Sequence, residues 1–302
     1  MKIIQQEDFN LAESLQENKE LINTHLKKYL EARYPQVIWD AMGYTTLSDG
    51  KRIRPILALE SARACGGNIE NVIPTACAIE MIHAQSLIHD DLPCMDNDDY
   101  RRGKLTNHKV FGEAFAVLAG DALLSYAPQI VIQHTPKEFN RDTLLQVLEE
   151  LAVAAGPLGL VGGQVVDIDS ENKEIDIPTF NYIHTHKTGE LFKFALRSGA
   201  LLSEATNTQL ETLTEYGRLI GYAFQIADDI LDIIGTKETL GKTPGKDNIA
   251  KKSTHPSLFG LSQSKEEVRQ LCSKAQQILI DNKLDTPLLV GIAGSIALKV
   301  MN

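Results

Sequence analysis

Residues 86–100 read SLIHDDLPCMDNDDY, with carboxylates at Asp90, Asp91 and Asp96, and the chain repeats the theme far downstream at Asp228-Asp229-Ile230-Leu231-Asp232. Clustered carboxylates repel one another, and taking each out of water costs several kcal/mol unless something compensates the charge. Two such clusters, each preceded by apolar helical sequence and followed by a basic, glycine-containing loop, point to bound hard cations, which prefer carboxylate oxygens. The spacings differ. Asp228 and Asp232 are four apart and share one face of a helix. Asp90 and Asp96 are six apart, roughly 240° around a regular helix, and Pro93 lies between them. Proline has no N–H and clashes with the preceding turn. The reading is that Asp90 and Asp91 occupy the last turn of a helix and an irregular segment brings Asp96 back. A calcium loop of the EF-hand type does not fit, because the register from Asp96 fails at the third ligand and at the glycine.

Composition narrows the class. The 302 residues are 43% hydrophobic and 23% charged, the balance of a globular protein. A formal charge of −10 argues against a nucleic-acid binder, whose footprint is basic. Cys65, Cys77, Cys94 and Cys272 show no metal-ligand spacing, so reduced thiols and a cytoplasmic location are expected. No apolar run approaches the ~18 residues of a spanning helix, so no membrane insertion is expected. MKIIQQEDFN lacks the apolar core of a secretion signal.

Periodicity along the rest of the chain is helical. Helices are expected over 11–33, 55–65, 71–91, 110–131, 141–169, 177–203, 210–234, 265–282 and 287–301, with 71–91 apolar on all sides and hence central. Pro55 suits a first helical turn. Residues 235–256, GTKETLGKTPGKDNIAKKSTHP, break the period and read as a long basic loop of the binding or lid type. With no strand series and no repeat, one all-α domain over 1–302 is expected.

Three basic groups complement the acidic ones: Lys51 with Arg54, Arg101 with Arg102, and Lys242 with Lys246, Lys251 and Lys252. Guanidinium forks match phosphate oxygens and lysines act as movable point charges. Carboxylates, Mg²⁺ and Arg/Lys together suit a polyphosphate. The chain has no GxxxxGK[ST], GxSxG or HExxH motif.

HDDLPCMDNDDYRRGKLTNHKVFGEAFAVLAGDALL and AFQIADDILDIIG with LGKTPGKD resemble the two aspartate-rich regions of trans-isoprenyl diphosphate synthases. GKRIRP, GGQVVD and HTHKTGELF resemble further motifs of that family, in the same order. The resemblance spans residues 50 to 256 and weakens beyond. It implies the all-α isoprenoid-synthase fold, one large helix bundle around a central cavity, in a homodimer. It implies Mg²⁺, three ions per site, held by Asp90, Asp91 and Asp96 on one wall and Asp228, Asp229 and Asp232 on the other. Isopentenyl diphosphate would meet Lys51, Arg54, His83 and Arg102. The allylic diphosphate would meet Arg101, Lys187, Thr188, Gln225, Lys242 and Lys252. Gln164 and Asp167 match a region beside the metals.

The reaction so implied is ionisation of the allylic diphosphate, attack by the isopentenyl double bond, and loss of a proton. Product length in the family depends on bulk one turn before the first aspartates, here Gln85 and Ser86. Without an aromatic residue there, the expected product is the C20 geranylgeranyl diphosphate, with C15 farnesyl diphosphate as the alternative. A terpene cyclase is disfavoured by Lys51, Arg54 and His83, and a non-catalytic subunit by the two intact acidic clusters.

Overall fold

The computed structural model describes residues 9–234 and 253–301. The predicted loop therefore lies mostly outside the described residues, and with it Lys242 and Lys252.

The architecture is all-α. Helix α4, Ile73–Asp90, runs through the middle and is buried on nearly every side from Ile73 to Ile82. Its sequence explains this, because no charged face interrupts it until Glu80 and each apolar side meets a neighbour. Helix α3, Ile53–Ala64, packs on α4 and on α10, Glu190–Leu201; α10 in turn packs on α11, Asn207–Ile234. Helix α6, Glu113–His134, lies along the other side of α4. Helices α13, Leu261–Asp281, and α14, Pro287–Met301, close the bundle against α11. Tyr216 of α11 is fully buried and donates its hydroxyl to the Leu289 carbonyl at 2.6 Å, tying α11 to α14.

Several expected helices are shorter or divided. The first, α1, Leu11–Tyr29, stops four residues early, its last turn carrying Lys27 and Lys28. The stretch 110–131 is split: α5, Asn107–Phe111, ends at Gly112 with φ 87°, where a side chain would be strained, and α6 begins at Glu113. The stretch 141–169 is two helices, α7, Arg141–Ala155, and α8, Leu160–Asp169. The cause is Pro157, whose ring disfavours helical geometry at the residue before it; Gly156 is extended at φ −90°, ψ −160°.

The stretch 177–203 is α9, Ile177–Ile183, a π turn over His184–Gly189, and then α10. A two-residue hairpin, Tyr100–Arg101 against Lys104–Leu105, follows the first aspartate cluster. Arg102 and Gly103 both have positive φ, 52° and 75°, the twist that tight hairpins require. Two further α-helices, α2, Gln36–Thr46, and α12, His255–Phe259, and a 3-10 turn over Ile69–Asn71 complete the described chain.

Candidate active site

Helix α4 ends where the spacing predicted. Asp90 is its last residue. The chain then folds back so that the Asp96 amide donates to the Asp90 carbonyl at 2.8 Å and the Asp98 amide to the Asp91 carbonyl at 3.2 Å. This turn puts Asp96 beside Asp90. The two carboxylates of the Asp90-Asp91 pair point to different places. Asp90 lines the cavity and accepts from Gln164 Nε2 at 2.9 Å. Asp91 is 2% exposed and holds Arg101, with Nε at 2.8 and 2.9 Å from its two oxygens and Nη2 at 2.7 Å.

Helix α11 forms the opposite wall, with Gln225 and Asp228 facing the cavity. Asp229 also borders it but is 5% exposed. Asp232, expected to share an ion with Asp228, is buried and does not line either part of the cavity. Between the walls the π turn presents Lys187 and Thr188. Lys187 Nζ lies 2.7 Å from Asp167 Oδ2, and Thr188 donates to Gln225 Oε1 at 2.7 Å. Helix α8 can approach the π turn this closely only because residue 163 is glycine: a Cβ there would sit 2.2 Å from the Lys187 nitrogen.

A basic pocket adjoins the aspartates. Arg54 stacks over Phe192, 4.6 Å from the ring centroid, and near Phe224 at 5.9 Å. Its buried Nε has no hydrogen-bond partner among the described residues. Burial lowers the Arg54 pKa to about 10, so it stays charged at neutral pH. Burial first, and then Arg54, Arg102, Arg101 and Arg52, push His83 well below the usual histidine range. His83 is therefore a neutral hydrogen-bonding group in a positive pocket.

Lys51 is placed differently from expectation. It is exposed and lines neither part of the cavity. It lies beside Lys299 of α14, whose pKa falls to about 8 through burial and the Lys51 charge. Lys299 is a neighbour of the site that the sequence motifs did not reveal, since it comes from the far end of the chain. Phe192 and Phe224, the aromatic support of Arg54, were also unmarked; they lie 32 positions apart in the chain, on α10 and α11.

The two adjoining parts of this cavity measure about 330 and 240 Å³ and share Leu87, Asp90, Arg101, Lys187, Gln225 and Asp228. Ser86 lines the larger part. Gln85 turns toward α6: it is 7% exposed and its Nε2 donates to His89 Nδ1 at 3.1 Å, while His89 Nε2 donates to the Val117 carbonyl at 3.2 Å. A wider cleft of about 740 Å³ between α9, α10 and α11 contains none of the clustered aspartates.

The residues fit divalent metal. Burial first, and then Asp96 and Asp91 nearby, raise the Asp90 carboxyl to about 6 against the lowering effect of Lys187 and Arg101; a bound cation would favour its charged form. Among the described residues no three Asp, Glu, His or Cys form a ready-made shell around one point. That suits Mg²⁺, which keeps several waters and uses one or two carboxylates together with substrate phosphates.

Facing acidic walls with a basic pocket beside them, inside a helix bundle, suit a divalent cation and a diphosphate. The family profile described as Polyprenyl synthetase matches residues 35–282. The chain is 50% identical to a dimethylallyltranstransferase of Fischerella ambigua, over 90% of this chain and 78% of that one. It is 47% identical to a geranylgeranyl diphosphate synthase of Cyanophora paradoxa, over 92% and 93%. A crystal structure of an FPP/GFPP synthase from Zymomonas mobilis superposes with a TM-score of 0.83 at 34% identity, over 95% of this chain and 99% of that one. The chain belongs to the polyprenyl synthetase family and has the isoprenoid-synthase fold. It is a prenyltransferase, and its reaction is prenyl chain elongation on isoprenoid diphosphates.

Proposed function

We propose that this enzyme extends allylic diphosphates with isopentenyl diphosphate to the C20 stage, geranylgeranyl diphosphate. The observation that carries the reading is the side-by-side arrangement of two anion sites: Asp90, Asp96 and Asp228 with Lys187 and Arg101, next to Arg54, Arg102 and His83. Asp90, Asp96 and Asp228 would hold Mg²⁺, three ions in the family's usual count. Bound Mg²⁺ supplies neutralisation of the charge that develops on the departing diphosphate. Lys187 and Arg101, which line the cavity beside these aspartates, orient the allylic diphosphate. Arg54 and Arg102 hold isopentenyl diphosphate so that its double bond faces the allylic carbon, with the apolar walls keeping water away.

A homodimer is part of the proposal. Helix α6 is apolar enough in length and composition to cross a membrane, yet only 44% of its most apolar window is buried in this chain. Leu118, at 53% exposure, and Ile132, at 57%, stand on its open side. A second copy of the chain would cover that face. The chain is read as one catalytic domain located in the cytoplasm.

Product length is the finer question. One helical turn rises about 5.4 Å, close to one isoprene unit, and Gln85 stands on α4 five residues before Asp90, turned toward α6 through its bond to His89. Gln85→Tyr is expected to shift the product mixture from C20 toward C15, measured by chromatography of the dephosphorylated products. A wild type that stops at C15 with excess isopentenyl diphosphate would overturn the C20 reading.

The raised Asp90 pKa supplies a pH test. Below about pH 6 the carboxyl keeps its proton, which must leave before metal can bind. The Mg²⁺ concentration for half-maximal activity should therefore rise as pH falls from 7 to 5. A midpoint independent of pH would remove Asp90 from the metal site.

A further inference from the structure

We infer that Asp229 is a positioning residue, a buried clamp joining three substrate-facing segments, and that it is not a metal ligand. The inference rests on reading the cavity as a metal–diphosphate site.

The geometry is specific. Asp229 Oδ2 accepts the backbone N–H of His255 at 2.9 Å, the first residue of α12. Its Oδ1 accepts from Gln225 Nε2 at 3.1 Å, one turn back on α11. Gln225 then accepts the Thr188 hydroxyl at 2.7 Å through its other amide atom. One carboxylate thus links α11, the π turn that carries Lys187 and Thr188, and the start of α12. His184 of the same π turn approaches Oδ2 at 3.6 Å.

The α12 end of the link is itself braced. His255 Nδ1 bonds to Ser264 Oγ at 2.8 Å, and Ser264 donates to the Gly260 carbonyl at 2.8 Å, which requires Nδ1 to be the donor. Thr254 caps α12 through a reciprocal pair with Ser257.

Both Asp229 oxygens accept protein hydrogen bonds in a site 5% exposed. Each oxygen keeps a second lone pair, but a metal that drew this buried carboxylate toward the cavity would pull it off the His255 N–H and leave a buried donor unsatisfied. Asp228, one residue earlier, lines both parts of the cavity. The first cluster divides its work in the same way, with Asp90 at the cavity and Asp91 buried against Arg101.

The clamp and the ligand reading separate in Asp229→Asn. Asparagine keeps an acceptor for the His255 N–H, and Gln225 can flip its amide to accept from the new NH₂. The probe is Mg²⁺ with inorganic pyrophosphate, its midpoint read from thermal stabilisation, alongside amide exchange at His255. The Asn variant should keep its Mg²⁺ midpoint within about twofold of wild type, while Asp228→Asn raises it roughly tenfold or more. Asp229→Ala should speed His255 exchange by about ten- to a hundredfold, the loss of a hydrogen bond to a charged group.

A tenfold rise in the Mg²⁺ midpoint of Asp229→Asn would make Asp229 a ligand and overturn the inference. So would unchanged His255 protection in a folded Asp229→Ala. If the Ala variant does not fold, the Asn midpoint alone decides. Neither readout needs turnover, so an enzyme that failed to extend allylic diphosphates would overturn the proposed function and leave this test standing.

Discussion

Asp90→Ala and Asp228→Ala should each lower kcat by about a thousandfold, roughly 4 kcal/mol of transition-state stabilisation. Each removes a carboxylate that faces the cavity from one wall, and the metal charge it would hold is needed most as the allylic C–O bond breaks. KM should change far less than kcat, because an interaction strongest in the transition state appears in turnover. Stability is a built-in control with a definite sign.

The Asp90 carboxyl is raised in the folded chain. Its contribution to stability is therefore present at low pH and is lost as pH rises from about 4 through about 6. Without metal at pH 7, removing it should leave Tm equal to or above that of wild type. Steady-state assays with labelled isopentenyl diphosphate and a thermal melt test both halves. Near-normal kcat in the two variants at moderate Mg²⁺ would exclude the site.

The second large effect concerns the fold. Arg52 and Glu80 form an ion pair at 2.6 Å with both side chains almost fully buried. Arg52 is further held by Asn23 Oδ1 at 2.9 Å and the Ser48 carbonyl at 2.7 Å. It occupies the left-handed position at the start of α3, φ 52°, two residues before Arg54.

Glu80→Ala would leave a guanidinium in the core without its counter-charge, at a cost of about 3–5 kcal/mol. That is a large part of an ordinary stability of about 5–15 kcal/mol. Urea unfolding should show a lower midpoint with little change in slope. Replacing both partners, Glu80→Met with Arg52→Leu, should recover most of the loss, because two apolar groups avoid the unpaired charge. Glu80→Ala with wild-type stability would show that the pair contributes nothing.

Much of the bundle was legible because its signals are local. Helical period, the all-round apolar sequence of α4 and the proline between Asp90 and Asp96 act over a few residues, and the end of α4 falls where they place it. The misplaced boundaries differ in cause. The break at Gly156-Pro157 carries its own mark in the sequence, a proline that disfavours helix at the residue before it. The π turn at His184–Gly189 carries none, since it depends on α8 approaching through Gly163.

The residue types of the site can be read along the chain, because carboxylates in pairs and guanidinium groups beside glycine state their chemistry without any neighbours. Which member of each pair reaches the cavity was decided only by tertiary structure. Asp90 and Asp91 are adjacent and chemically identical, yet one lines the cavity and the other is buried on Arg101. Asp228 and Asp229 divide in the same way, because consecutive helical side chains point about 100° apart and only packing settles what each meets. A backbone amide arriving from α12 to occupy Asp229, and Lys299 arriving from α14 beside Lys51, are contacts between distant segments. No pattern along the chain encodes them, since they exist only once the helices have packed.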